Sequence, residues 1–254
     1  MGRRRTGRRR TALGPTMWVA AAAAVAVAGC GTATDDSVTT VSAPAASAEA
    51  PAAPGAVWPR RDGAALVALQ ELTDRGRRPD LLDPVTVARQ YAAVAMPGAA
   101  SLAGTAAPVT GAFTSTGPTT GEVQVSGVRL APSTVYLRQL NRAAPGARPG
   151  PQPPIWYVQG VGTALLAVLD VDYDGQRLVA SFIATSDGTL TVRVTGVDEN
   201  LLAEQATPAQ AGYLTPIEVD VPGQPGLVVS ATLALPDGSI APREFRVGPP
   251  APPS

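Results

Sequence analysis

The single cysteine of this chain, Cys30, stands at the end of a leader that differs in composition from everything after it. Residues 1–10 carry six arginines, and residues 17–28 form an apolar run rich in alanine and valine. The run is short for a membrane span, and a charged segment followed by an apolar one is typical of an export signal. Because no second thiol is present, no internal disulfide can support the rest of the chain, which has to fold by packing alone.

The end of this leader resembles a bacterial lipobox, with the small residues Val27, Ala28 and Gly29 before Cys30. In that family a diacylglycerol is attached to the cysteine thiol, and the leader is cleaved on its amino side. The resemblance implies a lipoprotein signal peptide over residues 1–29 and a mature chain held by lipid on Cys30 at the outer face of the cell membrane. An uncleaved anchor and an ordinary signal peptide that ends near a cysteine are the alternatives. Both the general and the twin-arginine export routes stay open.

Charge and missing residue types exclude several classes of function. All 20 basic residues are arginine, a usage that resembles GC-rich actinobacterial proteins, and 14 of them follow Cys30 together with all 20 acidic residues. The mature side-chain charge of −6 gives no electrostatic basis for binding nucleic acid. The absence of histidine excludes Ser-His-Asp and Cys-His catalysis and imidazole metal sites. We therefore expect no cofactor, no metal site and no catalytic residues.

The chain after the leader divides by composition into four segments. Residues 30–57 are rich in Ala, Ser, Thr and Pro without any period, which predicts a disordered tether. Residues 58–161 and 162–247 carry the patterns of two folded parts, and residues 248–254 form a proline-rich tail. The expected fold class is α+β, in which a small domain of helices and antiparallel sheet precedes an all-β immunoglobulin-like sandwich.

Two helices are predicted at the start of the first part. Asp62 is a suitable cap for a helix that Gly76 ends, and Asp83 with Pro84 begins a second helix. Pro97 ends this second helix, whose apolar face is formed by Val87, Ala88, Tyr91, Ala92 and Ala95.

Strand-like segments follow the helices at residues 121–130, 134–140 and 155–161. This element order resembles the cystatin-like and NTF2-like folds, which wrap a sheet around a helix and in some cases leave a pocket. The pattern makes Tyr136, Trp156 and Tyr157 candidates to line such a pocket. Aromatic residues at these spacings also fit an ordinary core, and that alternative stays open.

The second part consists of short segments in which apolar and polar residues alternate. Residues 190–194, 217–221, 229–235 and 245–247 follow this pattern, which predicts a β-sandwich of immunoglobulin-like size. Entered through residues 155–161 (IWYVQGV), the region resembles the immunoglobulin-like domain of spore-germination-type lipoproteins. In those proteins a Trp-Tyr-Val segment leads into a similar sandwich behind a lipobox, so the resemblance implies this fold for residues 162–247.

One motif resembles a metal site. Asp170, Asp172, Asp174 and Gly175 read D-x-D-x-D-G, the opening of an EF-hand calcium loop. The twelfth loop position, where calcium needs a glutamate, is Ser181, and neither flank has a helical period. We therefore prefer a strand whose aspartates face solvent.

A hairpin accounts for the same residues. A two-residue turn at Asp174 and Gly175 places Asp172 directly across from Arg177, a favourable cross-strand pair. The same register pairs two apolar couples, Val171 with Leu178 and Leu169 with Ala180.

The function expected from the sequence is that of a non-catalytic, membrane-anchored cell-envelope lipoprotein. Its partners are the membrane, through lipid on Cys30, and an envelope protein or polymer that the sequence does not name. A small-molecule binding module with a pocket in the first part is the alternative. An enzyme that relies on carboxylates is a third reading, which composition leaves open. It ranks last, because no carboxylate pair can be placed in a cleft from the pattern alone.

Overall fold

The folded part begins earlier than the composition suggests. The computed structural model describes residues 56–59, 61–141, 150–223 and 226–248, all of which belong to one unit spanning residues 43–254. Ala56 and Val57, which the composition assigns to the tether, are buried, and the Val57 N–H donates to the Val158 carbonyl at 2.8 Å. The signal peptide, the lipobox with Cys30, the rest of the tether and the end of the proline-rich tail lie outside the described residues, and they stay predictions.

Both predicted helices are confirmed, together with their caps. Helix α1 is Gly63–Asp74, and the Asp62 carboxylate accepts the Ala64 and Ala65 N–H groups at 3.2 and 3.3 Å. Helix α2 is Pro84–Val94, and it is capped in the same way by Asp83. Its buried face consists of Val87, Ala88, Tyr91 and Ala92, whereas the predicted Ala95 is the C-cap, so the helix ends earlier than the predicted stop at Pro97. No helix in the described part of the chain is both long and apolar enough to cross a membrane.

Asp83→Ala is expected to lower the free energy of unfolding by about 1 kcal/mol, because the carboxylate accepts two otherwise unbonded N–H groups of α2. Urea unfolding followed by circular dichroism measures the loss. Asp83→Ser keeps a capping oxygen, and it should stay within about 0.5 kcal/mol of the wild type. Equal losses in both variants would contradict the capping role.

Eleven strands make up most of the remaining structure. They are β1 (Val109–Gly117), β2 (Thr120–Gly127), β3 (Leu130–Gln139), β4 (Trp156–Thr163), β5 (Leu166–Tyr173), β6 (Arg177–Ala184), β7 (Gly188–Gly196), β8 (Leu201–Ala209), β9 (Leu214–Asp220), β10 (Leu227–Ala234) and β11 (Ile240–Val247). Short 3₁₀ helices at Pro79–Leu82 and Ala99–Leu102 flank α2. The sequence pattern does not predict β1 or β8. Strand β1 is exposed along most of its length, so no apolar face marks it, and β8 lacks a strict apolar alternation.

The strands form one nearly closed sheet in the order β8-β7-β10-β11-β3-β4-β5-β6-β9, with β2 and then β1 added beside β3. The two ends of this order, β8 and β9, are consecutive in the chain. The protein is therefore mostly β with two short helices, which agrees with the α+β class. Strand β11 connects the strands β8, β7 and β10 on one side of the sheet to β3 and β4 on the other. It pairs with β10 along its whole length and with β3 and β4 at single positions.

Two hydrophobic clusters form the core. The first cluster contains residues of α1, α2 and β2–β4 together with Val228 and Ile240 from the C-terminal strands. The second contains the inward side chains of β5–β7 and β9–β11, including Leu190, Val192 and Val194 of the predicted alternation. The clusters lie on either side of β10 and β11, whose alternate residues contribute to each. The predicted boundary between residues 161 and 162 stays a prediction.

The predicted register of the β5–β6 hairpin is wrong by two residues. The structure pairs Asp172 with Val179, not with Arg177. The reason is the Asp174 side chain, whose Oδ1 accepts the Gln176 and Arg177 N–H groups at 2.8 and 2.7 Å and so builds a longer loop. Arg177 forms its ion pair elsewhere, with Glu218 of β9.

The apolar couples of that hairpin change as a consequence. Val171 faces Ala180, whereas Leu169 lies at an irregularity between Val168 and Asp170 and is 60% exposed. This bulge turns Leu169 out of the face to which the pattern assigns it. The aspartates of the calcium-like motif are exposed, and the Asp174 carboxylate serves the loop itself.

Candidate functional site

The three aromatic residues proposed for a pocket lie on two different faces. Trp156 belongs to the first core cluster, where its ring meets Phe113 at a centroid distance of 5.1 Å and an angle of 65°. Tyr157, the next residue of β4, points to the opposite face; it is 9% exposed, belongs to the same cluster and also lines a surface cleft. Tyr136 is half-buried on the same face as Tyr157. Trp156 therefore acts as a core residue, whereas Tyr157 contributes both to the core and to the wall of this cleft.

A buried polar cluster joins α2 to the C-terminal strands, and the sequence pattern did not reveal it. The Glu244 side chain in β11 is 4% exposed. Its Oε2 accepts the Tyr91 hydroxyl of α2 at 2.5 Å, and its Oε1 accepts the Ser230 hydroxyl of β10, also at 2.5 Å. Arg61 Nη2 lies 3.9 Å from Glu244 Oε1. The cluster thus connects the helices to the sheet through one carboxylate.

The local pattern explains why Glu244 faces the helices. Phe245 belongs to the second core cluster, so strand alternation turns Glu244 to the other face of β11, towards α2. Tyr91 lies on the buried face of α2, where the sequence analysis placed it as an apolar residue. Arg61 reaches the cluster from just before α1, and its Nη1 also donates to Thr195 Oγ1 and to the Gly196 carbonyl, the latter at 3.2 Å.

The electrostatics of the cluster follow from its burial. Burial raises the pKa of the Glu244 carboxyl above its ordinary value, while the hydrogen bonds from Ser230 and Tyr91 and the charge of Arg61 oppose this rise. Burial and the neighbouring Glu244 raise the pKa of Tyr91 well above its ordinary value, so the phenol stays a donor. The raised pKa of Glu244 means that the folded state binds its proton more tightly than the unfolded chain does.

This pKa shift predicts a pH dependence of stability. Because the folded-state pKa of Glu244 is raised, its contribution is fully present below the ordinary value of 4.5 and is lost as the pH rises through the folded-state pKa. We expect the stability of the wild type relative to Glu244→Gln to fall as the pH rises from the ordinary value of 4.5 through the raised folded-state pKa. Urea midpoints of both proteins across this range measure it. A difference that rises with pH would contradict the burial of the carboxyl.

A cleft of about 560 Å³ opens above the cluster. Its walls are the turn after α2 and one face of β7, β8, β10 and β11. The polar residues that line it include Arg61, Thr191, Arg193, Thr195, Glu204, Ser230, Thr232 and Glu244. The turn contains Gly98 with a φ of 81°, and a Cβ at that position would lie 2.5 Å from Ile240 Cδ1. Gly98 therefore lets the turn lie directly on the sheet and close one side of the cleft.

The two carboxylates of the cleft are poorly placed for acid–base catalysis. Glu204, Arg193, Ser230 and Glu244 are successive cross-strand partners on β8, β7, β10 and β11. Three strand spacings of ~4.8 Å put the two glutamates about 14 Å apart. Paired-carboxylate hydrolysis works at separations of about 5–9.5 Å. Glu204 Oε2 also forms an ion pair with Arg193 Nε at 3.0 Å. The groups that this surface offers to a ligand are therefore mainly hydroxyls and guanidinium groups.

The main residues of the cleft gave little signal in the sequence. Glu244 occupies a strand position that normally faces solvent, and Arg61 stands outside any periodic segment. Only Tyr91 was placed correctly, on the buried face of α2. The lipidation and lipobox residues Val27–Cys30 lie outside the described residues. A comparison with protein-family models finds none that matches the chain, and a comparison with curated proteins finds no match either.

Proposed function

We propose that this protein is a membrane-anchored cell-envelope lipoprotein without catalytic activity, acting through protein or polymer contacts. The observation that carries the proposal is the position of Cys30, the chain's one thiol, directly behind a charged and then apolar leader. Two acyl chains on this cysteine contribute enough buried CH₂ groups, at ~0.8 kcal/mol each, for stable attachment.

Lipid attachment is tested by the variant Cys30→Ala. The wild type is expected to take up labelled fatty acid and to fractionate with membranes, whereas Cys30→Ala should lose the label and leave the membrane fraction. Ser42→Ala, a change of similar size downstream, serves as the control and should behave like the wild type. If Cys30→Ala still fractionates with membranes and the wild type takes up no label, the lipid anchor is wrong.

We place the contact surface in the cleft above Glu244. Its support is chemical, because threonine and serine hydroxyls and Arg193 line it and can bond to the hydroxyl or amide groups of a polar polymer. Its volume also suits a small molecule, the alternative function, since such pockets measure about 300–1,000 Å³. A long polymer and a small ligand differ in one respect, since only the polymer sediments the protein with it.

Sedimentation with isolated envelope polymer tests this surface. The unanchored Cys30→Ala chain should sediment, and adding Thr232→Trp, which fills the cleft, should abolish the effect. Val128→Trp is the matched control, because Val128 is 80% exposed and is not among the residues that line this cleft. Binding that survives Thr232→Trp would place the contact elsewhere. If the Cys30→Ala chain does not sediment with the polymer but binds a soluble ligand, and Thr232→Trp abolishes that binding, the small-molecule function is favoured.

We also propose that residues 162–247 form an immunoglobulin-like sandwich. The support is that β7, β10 and β11 on one side and β5, β6 and β9 on the other contribute inward side chains to the same hydrophobic cluster. An experimental structure in which these two strand groups are joined into one flat sheet would refute this proposal.

A further inference from the structure

A second cleft, of about 410 Å³, lies beside the first turn of α1, shares Arg61 with the polar cluster and carries mainly positive charge. It opens where β3 and β11 end and β4 begins, and its lining includes Arg61, Arg138, Arg246, Tyr157, Leu66 and Leu140. No carboxylate appears among its described lining residues. The cleft thus combines guanidinium groups with an apolar wall.

The two strand arginines are held near one phenol. Arg138 is the direct cross-strand partner of Tyr157, and both Arg138 and Arg246 oppose the rise in the pKa of Tyr157 that burial causes. Arg246 Nη1 donates to the Arg61 carbonyl at 2.8 Å, which fixes its guanidinium at the cleft. Within the described ranges, neither Arg138 nor Arg246 forms an ion pair.

The charge of this cleft is only partly compensated. Burial lowers the pKa of Arg246, and the nearby charge of Arg61 lowers it further, while Asp62 opposes both effects. Asp62 is already engaged, since its carboxylate caps α1. Arg61 directs its own guanidinium towards Thr195 and Glu244. Arg138 and Arg246 therefore keep donors available for an anion that enters the cleft.

We propose that this cleft binds a phosphate group, with Arg138 and Arg246 donating to its oxygens, the Tyr157 hydroxyl as a third donor, and Leu66 and Leu140 packing against any apolar part of the ligand. Three donor groups from separate elements can approach from different directions, which suits a tetrahedral phosphate whose oxygens do not lie in one plane. A free phosphate and the headgroup of a phospholipid share this chemistry. The proposal rests on the cleft alone, and it does not require the lipid anchor at Cys30.

Isothermal titration of the unanchored Cys30→Ala chain tests the site with two probes, inorganic phosphate and a short-chain phosphatidylglycerol kept below its micelle concentration. Both probes should bind, and Arg138→Gln or Arg246→Gln should each weaken binding about tenfold. Arg89→Gln is the matched control, because Arg89 lies on the exposed side of α2 and bonds only to Thr86 in the described structure. A urea midpoint for each variant verifies that it is folded.

The outcomes separate the two sources of phosphate. Equal affinity for both probes assigns the site to free phosphate or a small phosphate ester. Tighter phosphatidylglycerol binding that Leu140→Ala weakens assigns it to a lipid headgroup, because the acyl chain then contacts the apolar wall. Absence of binding by either probe, or binding that neither arginine substitution weakens, overturns the proposal. Because Arg138 is at a strand end, its variant keeps the test valid even if Arg246→Gln fails to fold.

Discussion

Gly160→Ala is expected to lower the free energy of unfolding by about 3 kcal/mol, a large loss for the addition of one methyl group. A Cβ at position 160 of β4 would collide with the backbone carbonyl oxygen of Glu244 in β11. A backbone atom cannot move aside as the end of a flexible side chain can. The strands would have to separate, which breaks the Val161–Glu244 pairing that connects the two halves of the sheet.

Chemical denaturation of the purified variants measures this effect. Gly111→Ala in β1 is the matched control, since its Cβ would find its nearest neighbours, atoms of Gln124, at an ordinary 3.6 Å. The control should change stability by no more than about 0.5 kcal/mol. If Gly160→Ala were as mild as Gly111→Ala, the close approach of β4 and β11 in this structure would be wrong.

The hydrogen bond between Tyr91 and Glu244 should give the second large effect. Glu244→Ala is expected to cost about 3 kcal/mol, because it leaves the buried Tyr91 hydroxyl and the part-buried Ser230 hydroxyl without their acceptor and Arg61 without its ion-pair partner. Tyr91→Phe removes one donor to the carboxylate, and it should cost about 2 kcal/mol. The double variant should cost about 3 kcal/mol, which is less than the sum of the two single losses.

A double-mutant cycle on urea midpoints gives the coupling between the two residues, which should be about 1.5–2 kcal/mol. The exposed pair Arg193 and Glu204 provides the control cycle, because their side chains are 59% and 39% exposed and their coupling should not exceed about 0.5 kcal/mol. Additive losses for Tyr91 and Glu244 would mean that the two groups do not share a hydrogen bond.

These two predictions concern the same junction. Glu244 presents its carbonyl to Gly160 on β4 and its carboxylate to Tyr91 on α2, so one residue of β11 contacts both the sheet and the helices. The proposed contact cleft opens directly above this carboxylate. A variant that shifts β11 should therefore change both stability and binding.

The helices could be predicted from the sequence because their signals are local. Asp62 and Asp83 accept N–H groups within three residues of themselves, and the apolar face of α2 repeats within a single element. The alternation in β7 and β10 is equally local, because successive residues of a strand point to opposite faces whatever strand lies beside it. These patterns determined where the helices begin and the inward faces of β7 and β10.

The register of the β5–β6 hairpin and the candidate site needed the tertiary structure. The Asp174 side chain competes with a two-residue turn for the same N–H groups, and the pattern of apolar residues does not show which arrangement wins. Glu244 is separated from Tyr91 by 153 positions and from Arg61 by still more, so no local spacing connects them. The sequence by itself predicted the leader with Cys30, and it determined the helices and the inward faces of β7 and β10, because each depends on neighbours along the chain. Only the tertiary structure decided which strands meet and which charges are buried, because those depend on neighbours in space.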